Sequence, residues 1–168
     1  IVRKIEGDII EIEVLDDTLT RISGTNSQFK INGIKSTDYP AIDFTQPRET
    51  FDISSEVLKE IITQTCFATS DRETRPVLTG VNFSCHDQQL QCVATDSYRL
   101  AKKTVDIKDS LSFNITIPSK SLQEVLKSIG DEETVTLYVD NKKAQFHIDH
   151  TIIQTRLIDG AYPETNRL

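Results

Sequence analysis

Ala94-Thr95-Asp96-Ser97-Tyr98-Arg99-Leu100-Ala101 is the stretch on which the fold is decided. It is a polar, aromatic block set between two segments of strand composition, Gln89-Leu90-Gln91-Cys92-Val93 and residues 101–107. A turn that only reverses the chain usually carries Gly, Asn or Pro. Here a β-branched Thr, an acid, an aromatic and an Arg lead to Leu100. The pattern predicts a presented surface. The plain alternative is a hairpin whose Tyr98 and Leu100 turn into the core.

Outward from that block, alternation of apolar and polar residues dominates. Residues 77–84, 89–94 and 98–107 read as one three-strand meander, 133–139, 144–148 and 152–158 as a second, and 8–14, 19–23 and 28–34 as a third. Asp16-Asp17, Gly24-Thr25-Asn26-Ser27, Asp140-Asn141-Lys142 and Asp149-His150 supply turns. Two helices interrupt the strands. The first opens at Ser54-Ser55-Glu56, with a hydroxyl at the N-cap and an acid in the first turn. Val57, Leu58, Ile61, Ile62 and Thr65 then share one face. The second opens at Pro118-Ser119, buries Leu122, Val125, Leu126 and Ile129, and stops at Gly130 as a C′ residue.

Repetition is the strongest organising signal. Asp52 to Ile61 overlays Ile117 to Val125 with Leu58 on Leu122 and Glu60 on Glu124. One unit is therefore strand, helix and three strands, and it occurs twice between about residues 50 and 160. Gly7-Asp8 and Tyr39-Pro40 also recur as Gly130-Asp131 and Tyr162-Pro163, with three strands between them each time. The opening residues thus read as the last part of an earlier copy of the same domain, and the start at Ile1 reads as that of a fragment.

Composition narrows the function classes. The chain has 168 residues, enough to bury roughly two-thirds of its unfolded surface without staples. A charged fraction of 27% and no low-complexity segment indicate a folded chain, and no apolar run approaches a membrane span. The 3 cysteines are odd in number and none forms a C-x-x-C pair, which favours a reducing, cytoplasmic location. A net charge of −7 argues against simple adhesion to nucleic acid through a basic surface. With only 6 Gly there is no phosphate-cradling loop. His147-Ile148-Asp149-His150 does not assemble four metal ligands, because in a strand His147 and Asp149 share one face while His150 faces away or sits in the turn. No enzyme chemistry, metal or cofactor is expected.

Two such units in a domain that is itself repeated resemble the bacterial sliding clamp family, the β subunit of the replicative DNA polymerase III. The resemblance covers the whole chain and rests on 94–101, on Arg75-Pro76-Val77-Leu78-Thr79-Gly80-Val81 and on Asp159-Gly160-Ala161-Tyr162-Pro163. The first matches the family's T-D-x-x-R-L-A signature. It implies an α+β DNA-clamp fold of duplicated β-α-β-β-β units, two helices packed on antiparallel sheets. Residues 1–45 would be the end of a first clamp domain and 46–168 a complete middle domain.

The resemblance also implies a processivity factor that encircles duplex DNA without reading its sequence. Polymerase, clamp loader and repair proteins would dock through short linear peptides. Carried over residue by residue, the pocket comprises Arg75, Leu78, Thr95, Ser97, Tyr98, Arg99, Leu100, Pro163 and Leu168. Leu78, Leu100, Pro163 and Leu168 suit an apolar floor, and Arg75, Thr95 and Arg99 suit polar anchoring. Ser97-Tyr98 stands where other members often have Gly-His, which implies a bulkier or more polar wall. A ring holds DNA by topology, so the acidic balance is tolerable and a modest lining suffices. The residues expected to face DNA are Arg3, Lys4, Lys59, Lys120 and Lys127 on helix faces and Arg72 in a loop. The family's intact protein is a head-to-tail homodimer joined through its first and third domains, so this chain alone is expected not to close a ring. The competing reading is a protein-binding β-repeat scaffold with no DNA role.

Overall fold

The computed structural model describes residues 1–165. The chain divides into two compact units, residues 1–43 and residue 44 onward.

In the first unit a 3-10 turn, Val2–Lys4, precedes an antiparallel meander of β1 (Glu11–Asp16), β2 (Leu19–Ser23) and β3 (Gln28–Asn32). Asp16 Oδ1 accepts the Thr18 N–H at 2.7 Å and closes the first turn. The register places Ile12, Ile22 and Phe29 in one row and Glu13, Arg21 and Lys30 in the next. One face is therefore apolar and the other charged, as a period of two requires.

The second unit runs β4 (Glu49–Ser54), α1 (Ser55–Thr65), β5 (Gly80–Thr95), β6 (Leu100–Pro118), α2 (Ser119–Ser128), β7 (Thr134–Val139), β8 (Lys143–Ile148) and β9 (Thr151–Arg156). Ser54 caps α1 by accepting the Val57 N–H at 3.1 Å. Leu58, Ile61 and Ile62 of α1 and Leu122 and Val125 of α2 are buried in one core with Phe51, Phe83, Ile117, Leu137 and Phe146. Ser55 and Ser119, Leu58 and Leu122, and Ile61 and Val125 occupy equivalent buried places on the two helices, so the duplicated pattern is also a duplicated structure.

The pairing is reciprocal. β4, which leads into α1, pairs antiparallel with β7 of the second repeat in a sheet ordered β4-β7-β8-β9. The end of β6, which leads into α2, pairs with the start of β5 from the first repeat, Gly80 opposite Pro118 through Asp87 opposite Leu111. The rest of these two strands pair as Gln89 opposite Asp106 through Thr95 opposite Leu100. The register slips at Asp87, whose φ is 55°.

Four expectations need correcting. Val77 and Leu78 lie in a 3-10 turn, Pro76–Thr79, and not in a strand, because Pro76 at its first position favours a helical turn. Two long strands replace the three short ones expected over 77–107, since β6 continues without a break into the α2 entry. Pro118 is the N-cap of α2 and not a first-turn residue. Ile129 caps the other end in an extended conformation, and the Gly130 N–H is bonded by the Glu132 carboxylate rather than by a left-handed cap.

The longest of the fully enclosed polar side chains among the described residues lies on the second sheet. Gln145 on β8 is 0% exposed. Its Nε2 donates to the carbonyls of Phe44 at 3.0 Å and Thr45 at 3.3 Å and to Gln154 Oε1 at 2.8 Å. Its Oε1 lies 3.0 Å from His147 Nε2, and the His147 ring packs against Tyr138 at 4.5 Å. The first residues of this unit are thereby strapped to the sheet face opposite the helices.

Candidate docking cleft and helix face

The 94–101 block is a turn held from within. Thr95 Oγ1 donates to the Arg99 carbonyl at 2.7 Å and accepts the Ser97 N–H at 3.1 Å. Asp96 Oδ1 accepts the N–H groups of Tyr98 and Arg99 at 2.9 and 3.0 Å, and its Oδ2 lies 3.0 Å from Arg99 Nε. The Thr95 N–H donates to the Tyr162 hydroxyl at 3.0 Å, so the 159–163 motif buttresses the turn. Ser97 takes a left-handed φ of 78°, and Tyr98 is 95% exposed. The turn presents its aromatic ring to solvent instead of packing it.

Facing it is the loop after α1. The Ser70 N–H donates to the Leu78 carbonyl at 2.8 Å and the Leu78 N–H to the Arg75 carbonyl at 3.0 Å. Arg75 Nη1 then reaches across to Ser97 Oγ at 3.1 Å. Between loop and turn lies a cleft of about 380 Å³ that brings together Arg75, Leu78, Ser97, Tyr98 and Arg99 of the expected set. Leu78 is only 2% exposed and serves as the floor. Arg72, expected on the DNA side, also lines this cleft. Thr95 and Leu100 are not on its walls: Thr95 is buried beneath the turn, and Leu100 is 39% exposed at the start of β6. Pro163 is half-buried and off the cleft, and Leu168 lies outside the described residues. Sequence reasoning missed Asp71, Thr74 and the structural role of Asp96. The Asp-x-x-Arg spacing was the available signal for the last, since a short acid at a turn caps the N–H groups two and three residues on.

A neighbouring cavity of about 650 Å³ shares Arg99 and the 69–71 wall and extends past Phe67 to Lys120 and Gln123 at the start of α2. The Arg99 guanidinium sits 5.9 Å from the centre of the Phe67 ring, within cation–π range.

Electrostatics hold the turn at neutral pH. The N–H groups of Tyr98 and then Arg99, with the Arg99 charge, keep the Asp96 carboxyl below the usual carboxylate range. A depressed carboxyl stabilises the folded turn above its unfolded value of about 3.9, and that contribution is lost as pH falls through the folded value. Acid titration followed by amide NMR is therefore expected to shift the Tyr98 and Arg99 resonances together below about pH 4. Amides that stay put to pH 2 would show that Asp96 does not hold this turn. Burial pushes the Tyr162 phenol up, partly offset by the Thr95 N–H, and burial likewise raises all three thiols.

The two helices pack against each other. Lys59 of α1 donates to the Gly130 carbonyl at 3.1 Å, tying α1 to the chain leaving α2. Lys127 pairs with Glu124 at 2.8 Å, while exposed Lys120 has no ion pair among the described residues. Arg3 and Lys4 are exposed in the 3-10 turn of the first unit. No group of metal-ligating side chains occurs among the described residues, and none of their helices is long and apolar enough to cross a membrane.

Residues 52–164 match the sequence model of the family described as DNA polymerase III beta subunit, central domain. The chain belongs to that family. It is 39% identical over 171 residues to the beta sliding clamp of Bacillus subtilis, covering all of this chain and 45% of that protein. Against the beta sliding clamp of Halalkalibacterium halodurans it is 40% identical over 173 residues, covering all of this chain and 46% of that protein. The crystal structure of the Bacillus subtilis DNA polymerase sliding clamp superposes with a TM-score of 0.92 at 36% identity, over 99% of this chain and 44% of that one. The DNA polymerase III beta chain of Streptococcus pneumoniae superposes equally well, with a TM-score of 0.92 at 32% identity over 99% of this chain and 45% of that one. The DNA-clamp fold is thus shared, and the chain spans a little under half the length of these sliding-clamp relatives.

Proposed function

We propose that this chain is part of a non-catalytic processivity clamp that encircles duplex DNA and tethers a replicative polymerase to it. The observation that carries the reading is full-chain similarity to proteins named as sliding clamps, with the same backbone. In this reading residues 1–45 close a first clamp domain and 46–168 form a whole middle domain. Two paired amphipathic helices, backed by sheets, suit a lining that slides over phosphates without base contacts. Lys120, with Lys59 and Lys127, supplies positive charge on the helices of the second unit, and Arg3 and Lys4 are the DNA-facing residues of the first. Arg72 belongs instead with the cleft it lines. An intact protein would assemble as a head-to-tail homodimer in the cytoplasm.

The cleft between Arg75 and Tyr98 is the docking site for short peptides of polymerase, clamp loader and repair proteins. Leu78 gives it an apolar floor and Tyr98 an exposed aromatic ring, while the rest of its lining is polar or charged, so its polar anchors would fix the peptide's orientation.

The test of the ring is topological. The protein extended to the length of its relatives, once loaded, is expected to stay on circular duplex DNA through gel filtration and to be lost when the DNA is cut once. Equal retention on both forms would overturn the proposal, because holding by topology needs an endless substrate.

A further inference from the structure

We infer that Ser97 is a positioning residue whose hydroxyl holds the Arg75 guanidinium across the mouth of the cleft, poised for an acceptor oxygen of the docked peptide. This rests on the docking reading above. Ser97 has a left-handed φ of 78°, a region that a side chain makes costly and that glycine enters freely. Nothing in the turn needs the Ser97 hydroxyl, since Thr95 and Asp96 bond the backbone of the turn between them. Among the described residues the one hydrogen bond of the hydroxyl is from Arg75 Nη1, at 3.1 Å and from a different element.

Arg75 has no ion pair among the described residues, and one contact to Ser97 leaves most of its five donors unused. Arg99, by contrast, is committed to Asp96 and to the Phe67 ring. Pre-orienting a long, flexible guanidinium lowers the ordering cost when a ligand arrives. The trade is a small loss of turn stability for a preset donor.

The test separates stability from binding. A fluorescein-labelled Gln-Leu-Phe-type peptide is titrated against the full-length protein, and thermal midpoints are measured alongside. Ser97→Gly is expected to leave the midpoint unchanged or raise it by up to about 3 °C, yet weaken binding about five- to tenfold. Ser97→Asn, which tolerates the left-handed region and supplies an acceptor, is expected to bind within about twofold of the parent. In an Arg75→Ala background, Ser97→Gly should add no further loss, since the two act as one unit. If Ser97→Gly binds as tightly as the parent, or Ser97→Asn binds as weakly as Ser97→Gly, the positioning role is wrong while the docking site stands. A parent that does not bind the peptide at all overturns the docking reading and this inference with it.

Discussion

Replacing Phe146 by alanine is expected to remove about 3–5 kcal/mol of stability and lower the thermal midpoint by roughly 10–20 °C. Phe146 is 0% exposed on β8, an interior strand of its sheet, paired with Leu137 on one side and Ile153 on the other. Its ring lies in the single core that both helices and both sheets share. Truncation loses the transfer energy of the ring and leaves a void that two flanking strands cannot both close. Domains of this size are stable by only about 5–15 kcal/mol, so such a loss is a large part of the total. Calorimetry on Phe146→Ala and Phe146→Leu decides the matter. The leucine variant keeps most of the volume and should fall by less than half as much. A fall of under 3 °C for the alanine variant would mean that the core is not organised around this strand.

The second large effect belongs to Gln145. Gln145→Leu is expected to cost about 2–4 kcal/mol, because buried hydrogen-bonding groups lose partners without gaining water. Its amide is the donor to the Phe44 and Thr45 carbonyls and to Gln154. Leucine fills the space but offers nothing to those oxygens. The damage should be local as well as global: hydrogen exchange is expected to rise over residues 44–46 before it rises in β8. Uniform exchange across the unit, with the segment at 44–46 as protected as in the parent, would show that the strap is held by other contacts.

Much of this was visible in the residues. The N-cap at Ser54, the buried stripe of Leu58, Ile61 and Ile62, and the matching Leu122 and Val125 are local patterns, and local patterns survive folding. The meander of β7, β8 and β9 was legible for the same reason, since alternation and turn residues agree there. The strand ends around Pro76 were not, because a four-residue 3-10 turn leaves no periodic trace. Nor was the continuity of β6, where one strand serves both repeats. At the site, family resemblance named Arg75, Ser97 and Tyr98, and the structure sets them around one cleft. It assigned Thr95 to the pocket wall, where its hydroxyl is instead spent on bonds to residues two and four positions on, and it could not show that Arg72 joins Arg75, which depends on how a loop and a turn approach across a long separation. Gln145 was silent altogether: a polar residue in alternation reads as solvent-facing until some distant segment covers it.

The exchange of strands between the two repeats has a consequence for how the domain comes into being. Each repeat lends its leading strand to the other, β4 to β7 and the tail of β6 to the head of β5. Neither half can therefore complete a sheet by itself, and contacts that close the structure join residues as far apart as Glu49 and Val139. Such a chain must wait for its last strands before its first are satisfied, which slows acquisition of the native state and makes it all-or-none. During synthesis the emerging front half would hold an open, pairing-hungry edge until the back half arrives, the interval in which a chaperone has most to protect.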